Sequence, residues 1–444
     1  MTTIRPRKRG FLVAAAIAVF LMAVIGCGSE VGPTPAATGA AMPATSAEPA
    51  SVAAIIPSPE PVPDARDVLE LTWWTVPQFS PFGEAKADQL VATQIGQFVS
   101  GNPDLSVETV VKAPYGRGGV LDFLLRTQKV APSLLPDVVS LDADELGIAI
   151  RAGLLQPIEE DLIRELLTDL FPFSISAGRQ DGLLYALQYE GDIEHIVVDT
   201  TQVDAVPRNW MDILDGEHPY FFSPGPSGNP SDAFLVQYQA SGGVLGGKNE
   251  PFVLDEQALF SVLTFYEHGQ ERGVIPAEVL DLDNTEEIWP IFDAGQAQVA
   301  HVRSSRFLKE RRNKTGMAFG TIPAATEQPT NIGRGWTLAV VAQDPERQAA
   351  SVRFIEAMLA SEFNATRSLA ADRLPVRRSA LDLWDPDDPY VSFVRWQLEA
   401  AATHPSGASY LHAAPILSEA ARSVLSGDVT AREATEQATG MSVP

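Results

Sequence analysis

A single cysteine, Cys27, stands in a chain of 444 residues. No intramolecular disulfide can form, so a packed core must hold the fold. Basic residues are also scarce: 32 Lys and Arg against 57 Asp and Glu give a net charge of −25. A surface of that sign repels nucleic acid and anionic lipid headgroups. After residue 27 no stretch reaches the roughly 18 uninterrupted apolar residues needed to span a bilayer. The six histidines, His195, His218, His268, His301, His404 and His412, are scattered, and none forms a metal-ligand spacing. There is no Gly-x-Ser-x-Gly elbow; Gly225-Pro226-Ser227-Gly228 reads as a turn. Gly116-Arg117-Gly118-Gly119 precedes a helix but lacks the Gly-Lys-Ser/Thr ending of a phosphate loop, so it reads as a plain loop. Asp281-Leu282-Asp283-Asn284 and Asp385-Pro386-Asp387-Asp388 lack the Gly and distal Glu of a calcium loop and read as solvated turns. No catalytic residue, metal or cofactor is expected.

What is present begins at the N-terminus. Arg5, Arg7, Lys8 and Arg9 precede a short apolar run over residues 11–25, followed by Val24-Ile25-Gly26-Cys27. A basic segment and an apolar segment of this length read as a secretory signal rather than a spanning helix. The last four residues resemble a bacterial lipobox, which makes Cys27 the expected site of lipidation and the first residue of the mature chain. Removal of residues 1–27 takes away four positive charges and leaves −29. Residues 28–66 are rich in Pro, Ala, Ser and Thr and nearly free of bulky apolar groups. Such a segment cannot bury enough surface to offset its ordering entropy and reads as a disordered tether. The expected location is the cell envelope, lipid-anchored to the outer face of the cytoplasmic membrane.

Folded character starts near Val68. Residues 68–75 alternate and are rich in strand formers. Ala87, Val91, Ile95 and Phe98 recur at helical spacing over residues 84–100, and Asn102-Pro103 ends that helix. Residues 105–111 read as a strand, 120–129 as a helix, 137–141 as a short apolar strand and 143–152 as a helix. Strands alternating with helices predict an α/β layer with a largely parallel sheet. Asp255 is placed to cap a helix over 257–272 and Gly273 to end it. Asp344-Pro345-Glu346 opens another helix. Residues 416–437 predict two short helices broken near Gly427.

Several segments carry a resemblance. Residues 69–74 resemble a first strand ending in Trp. Pro136-Asp137-Val138-Val139 followed by Gly153-Leu154-Leu155-Gln156-Pro157-Ile158, then Asp181-Gly182-Leu183-Leu184-Tyr185-Ala186-Leu187, Val206-Pro207-Arg208-Asn209-Trp210, Phe292-Asp293-Ala294-Gly295-Gln296-Ala297, Gly320-Thr321-Ile322-Pro323 and Gly333-Arg334-Gly335-Trp336 follow in order. Together they resemble the extracellular solute-binding proteins of bacterial ABC importers, in the family that contains maltose- and oligosaccharide-binding proteins. The resemblance implies an α/β, two-lobed periplasmic-binding-protein-like fold of type II, with crossover hinge segments joining the lobes. It places the solute-binding domain at 67–444, with lobe 1 at about 67–187 plus 303–336 and lobe 2 at about 190–300 plus 338–440. Hinges are expected near 187–190, 299–303 and 335–339. It also implies a monomer without catalysis that captures a carbohydrate or similar polar solute and docks on permease subunits. An exported enzyme or surface-assembly protein acting on a glycan is the alternative on the same scaffold.

Seven residues are candidates for the solute site. Trp73 and Trp74 are adjacent in a strand and must face opposite sides; Trp74 is the one expected in the cleft. Asp144 follows a strand whose carboxyl end presents ligand groups, and a helix-start charge is its other reading. Glu190 lies at the first crossover. In the maltose-binding pattern both carboxylates fall on sugar-binding positions. Trp336 sits in a Gly-rich crossover and could offer an apolar platform. Arg303 could bind an anionic group or pair with a cleft carboxylate. Asp232 and Phe234 precede the Gly242-Gly243 turn in a region that lines lobe 2.

Overall fold

The computed structural model describes residues 68–246 and 252–442. The signal segment with Cys27 and the tether lie outside these residues. Among the described residues, thirteen strands form two principal sheets and two small pairs. They are β1 (Leu69–Thr75), β2 (Leu105–Val111), β3 (Val138–Asp142), β4 (Arg179–Gln180), β5 (Leu183–Leu184), β6 (Ala186–Gln188), β7 (Glu194–Asp199), β8 (Tyr220–Phe221), β9 (Val299–Arg303), β10 (Met317–Gly320), β11 (Asn331–Gly333), β12 (Trp336–Val340) and β13 (Ala401–Thr403).

The first sheet has the order β2-β1-β3-β12-β6. β1 runs parallel to β2 and β3, but β12 is antiparallel to both β3 and β6. β1 shows how the sequence builds this lobe. Its side chains alternate between two faces, so the two adjacent tryptophans enter different layers. Trp73 packs edge-on against Phe354 of the helix Pro345–Met358 and donates its indole N–H to Ser140 Oγ at 3.1 Å. Trp74 packs against Phe123 of the helix Val120–Val130, with the Lys112 ammonium over its ring. The sheet is covered by helices on both faces.

The second sheet has the order β10-β7-β9-β8, with β7 antiparallel to both β9 and β10 and only β8 and β9 parallel. The expected largely parallel layer is therefore corrected to two mixed sheets. The reason is that β12 and β10 arrive from distant parts of the chain and insert against the local βαβ direction. The same pairings revise the expected boundaries. β10 belongs to the second sheet, so residues 317–320 go with lobe 2. β12 and the helices Pro345–Met358 and Ser361–Ala370 pack with the first lobe. The helices Ala408–Leu425 and Ala431–Ser442 return to pack on the lobe 2 helix Glu256–Glu271.

Helix ends follow local chemistry. The Asp255 carboxylate accepts from the Ala258 N–H, and Asp344 accepts from the Glu346 and Arg347 N–H groups, so both acids cap the helices expected of them. The Gly118 N–H donates to the Asp122 carboxylate at 2.8 Å, closing the loop ahead of the Val120–Val130 helix on itself.

The chain passes between the lobes where β6 leads into β7, where β11 leads into β12, and again between the helices Ser361–Ala370 and Ala408–Leu425. The first two crossovers pair with each other: the Asp192 and Arg334 backbones exchange hydrogen bonds at 2.9 and 2.8 Å. Gly191 pairs in the same way with Leu374, at 2.7 and 2.9 Å. Residues 299–303, expected as a hinge, are instead β9, bonded on both sides inside the second sheet.

Candidate functional site

At the junction of the lobes the chain assembles a compact group of charges. β3 ends in Asp142, and the turn that follows carries Asp144 and Glu145. From lobe 2, Ser231 caps the helix Asp232–Ala240 and fixes Asp232 in its first turn. β9 ends in Arg303. Between these elements stands Arg334, on the second crossover.

Arg334 uses all three nitrogens of its guanidinium. Nη2 donates to Asp232 Oδ1 at 2.6 Å and Nε to Oδ2 at 3.0 Å, while Nη1 donates to Asp144 Oδ2. Arg303 Nη2 lies 2.8 Å from Asp232 Oδ2 and 3.9 Å from Glu194 Oε2. Asp232 is thus a buried carboxylate between two guanidiniums. Burial alone would raise its pKa, but Arg334 and Arg303 hold it far below the usual carboxylate range. Burial likewise opposes ionisation of Asp144, and Arg334 with His404 overrides it and brings its pKa down to about 2. His404 Nδ1 lies 3.3 Å from Asp144 Oδ1, and the His404 ring meets the edge of Tyr410.

The other two acids of lobe 1 move the opposite way. Burial, then repulsion from Asp144, pushes Asp142 up, although the Tyr115 hydroxyl donates to it at 2.6 Å. Burial, then Asp142 and Asp144, pushes Glu145 up to about 7. The exposed Tyr115 ring stands 5.5 Å from Trp336, which packs on Phe79 behind it. Buried polar atoms near the charges without a hydrogen-bond partner include Glu145 Oε2, Arg303 Nη1, His404 Nε2 and the Tyr410 hydroxyl. The space left among Asp142, Asp144, Arg334, Gly335 and His404 is a cavity of about 10 Å³, room for about one water. A larger cavity of about 1080 Å³ lies elsewhere, between the loop before and after Pro207, β10 and the side chains of Phe393 and Trp396.

The structure brings Asp144, Asp232, Arg303 and Trp336 to this junction. Two expected residues go elsewhere. Trp74 is enclosed between its sheet and Phe123, so neither tryptophan of β1 belongs to the junction. Phe234 is fully buried and packs with Tyr238 and Tyr266, because the helix Asp232–Ala240 is covered on nearly all faces. Glu190 is at the crossover as expected, but its carboxylate is buried against Arg367 at 2.8 Å, with Arg373 3.6 Å away. The Arg367 guanidinium in turn lies over Phe79, 4.4 Å from its centroid. That arrangement ties Glu190 to the lobe 1 helix that carries Arg367. Arg334, His404, Tyr410 and Tyr115 were not singled out from the sequence. The one local signal was Arg334 itself, a cation set between two glycines at a crossover.

Residues 124–392 match the family model of the bacterial extracellular solute-binding proteins, which is more than half of the chain. The protein belongs to that family. Its fold is similar to maltose-bound MalE3 of T. maritima, with a TM-score of 0.62 at 17% identity over 84% of this chain and 98% of that one. It is similar also to the cyclic alpha-maltosyl-1,6-maltose binding protein of Arthrobacter globiformis, with a TM-score of 0.71 at 15% identity over 84% and 97%. A solute-binding protein of Thermotoga lettingae bound with alpha-D-tagatose matches with a TM-score of 0.61 at 16% identity over 84% and 98%. No curated protein sequence matches the chain significantly. Identities this low establish the two-lobed fold. No helix among the described residues is long and apolar enough to cross a membrane, and no group of three or more His, Cys, Asp or Glu among them could hold a metal ion.

Proposed function

We propose that this protein is the solute-binding component of an ABC importer that takes a carbohydrate, or a similar small polar solute, between its lobes and passes it to membrane permease subunits. In this reading it works as a monomer, tethered through lipid on Cys27 to the outer face of the cytoplasmic membrane. The observation that carries the reading is the charged group at the lobe junction. Carboxylates from lobe 1 and lobe 2 and the guanidinium of Arg303 converge there beside unpartnered donors. Sugar hydroxyls both donate and accept, so they suit such a mixed set. The Tyr115 and Trp336 rings beside Asp142 supply the kind of apolar surface that packs against a sugar ring. Structural neighbours named for binding maltose, maltotetraose and tagatose support the choice of solute class.

The test is thermal and chemical denaturation of the mature protein with maltose, maltotetraose and D-tagatose as probes. A ligand at about 100 times its Kd stabilises the folded state by roughly 2.7 kcal/mol, and mass spectrometry should recover it intact. Stabilisation by none of the saccharides, with a non-carbohydrate solute found bound after native purification, overturns the carbohydrate assignment. Turnover of a saccharide overturns the non-enzymatic one.

A further inference from the structure

We propose that Arg334 is a built-in occupant of the solute site, a latch that holds the solute-free molecule closed and that a solute must displace. Arg334 sits on neither lobe's sheet but on the crossover between them. Its guanidinium reaches Asp232, on the first turn of a lobe 2 helix, and Asp144, in the turn after β3 of lobe 1. One side chain therefore cross-links the two lobes through charge-assisted hydrogen bonds, and the Asp232 side is bidentate. The cavity that remains holds about one water, so no sugar-sized molecule fits while the bridge stands.

The backbone around the bridge cannot readily move to make room. Arg334 is bonded in both directions to Asp192. A Cβ at Gly333 would strike the Phe173 ring at 2.2 Å, and one at Gly335 would strike the Glu190 carbonyl oxygen at 2.2 Å. The freedom lies in the long Arg334 side chain. Meanwhile the Arg303 Nη1 and the Tyr410 hydroxyl remain buried without partners. These groups are the ones a larger occupant would satisfy, since a buried donor without a partner is costly. The charges facing the guanidinium also constrain the occupant. Asp144 and Asp232 flank it directly, with Asp142 behind them. Whatever replaces it must donate hydrogen bonds to carboxylates from both lobes. Hydroxyl-bearing or ammonium-bearing solutes meet that demand, while carboxylate or phosphate groups placed there would be repelled. That Arg334 occupies the solute site and yields to a solute rests on the solute-binding reading; the bridge between the lobes does not.

The experiment needs no solute. With Cys27→Ser removing the lone native thiol, Val130→Cys and Met211→Cys place spin labels on exposed positions of lobe 1 and lobe 2. Pulsed electron paramagnetic resonance then reads the interlobe distance distribution of this chain, produced without residues 1–26 so that no processing at position 27 is needed. With Arg334 present the short-distance population dominates. In Arg334→Gln the ratio of short to long distances falls by on the order of tenfold or more, as expected for the loss of the charge-assisted hydrogen bonds that hold the two lobes together. Asp144→Asn, at a half-exposed position that removes only the lobe 1 end of the bridge, should shift it in the same direction even if Arg334→Gln proves poorly folded. Unchanged distributions in a folded Arg334→Gln, or in Asp144→Asn should the former not fold, overturn the latch. Because no ligand is added, that result would leave the solute-binding reading untouched, and failure of every saccharide to bind would leave the latch untouched.

Discussion

Asp232 is buried between two guanidiniums, and its removal leaves Arg303 and Arg334 facing each other without the charge that reconciles them. Breaking a buried ion pair from one side typically costs about 3–5 kcal/mol. Asp232→Ala is expected to lose stability of that order in urea denaturation, and a loss under about 1 kcal/mol would show that the pair is solvated in solution. Because the folded carboxyl titrates below its unfolded value, its contribution is full above about pH 4 and fades as pH falls toward the folded value. His195 acts in a different window. Burial lowers its pKa to about 4, with Nε2 3.0 Å from the Tyr390 hydroxyl. The unfolded ring binds a proton near pH 6.5 and the folded ring does not, so stability is full above about 6.5 and declines as pH falls toward 4. The decline should amount to about 3 kcal/mol and be largely absent in His195→Gln, measured by chemical denaturation at pH 7, 5.5 and 4.5. Of the candidate site residues, those that meet at the lobe junction as charges are Asp144, Asp232 and Arg303, each with a positional reason to be at a strand or helix end. Trp74 and Phe234 were misplaced because an aromatic residue beside a functional position looks the same in sequence whether it turns to the core or to a ligand. Arg334 escaped notice because its partners lie 190 and 102 positions away in sequence.

At the scale of elements, the crossovers leave little room for a side chain at their glycines. Gly335 has φ near +150° and lies against the Glu190 carbonyl and the Gln188 amide. A side chain there meets both an unfavourable backbone region and a backbone atom that cannot yield. Gly335→Ala should therefore lower the melting temperature clearly, whereas Gly153→Ala, where φ is positive but nothing lies within 4 Å of the new Cβ, should cost less. Equal losses in both would show that backbone conformation, not the crossover contact, sets the cost. Elements whose ends carry their own signals were readable: the strand Leu105–Val111, the helix capped by Asp255 and the helix opened by Asp344-Pro345. β9 was read as a hinge because a short strand and a crossover share the same local pattern. Strand direction was unreadable for the same class of reason: β12 joins β3 across nearly two hundred residues, and no local pattern encodes such a pairing.

For the whole molecule, the proposed export signal and lipid anchor would set where the folded part works. Cys27 is the only thiol, and it follows a basic and then an apolar stretch in the order an export signal requires. If it carries lipid, a single acyl group would hold the membrane only weakly and reversibly, so stable retention needs more than one chain. The mature protein should then partition with membranes and show the mass of several acyl chains on a peptide beginning at Cys27. Cys27→Ser should abolish that mass and leave the chain unprocessed at this position, while the two-lobed body keeps the same melting temperature, as expected if residues 28–66, poor in bulky apolar groups, serve only as a tether. Acylation that persists in Cys27→Ser would place the anchor elsewhere. A body that melts differently without lipid would mean that the tether contributes to the fold after all.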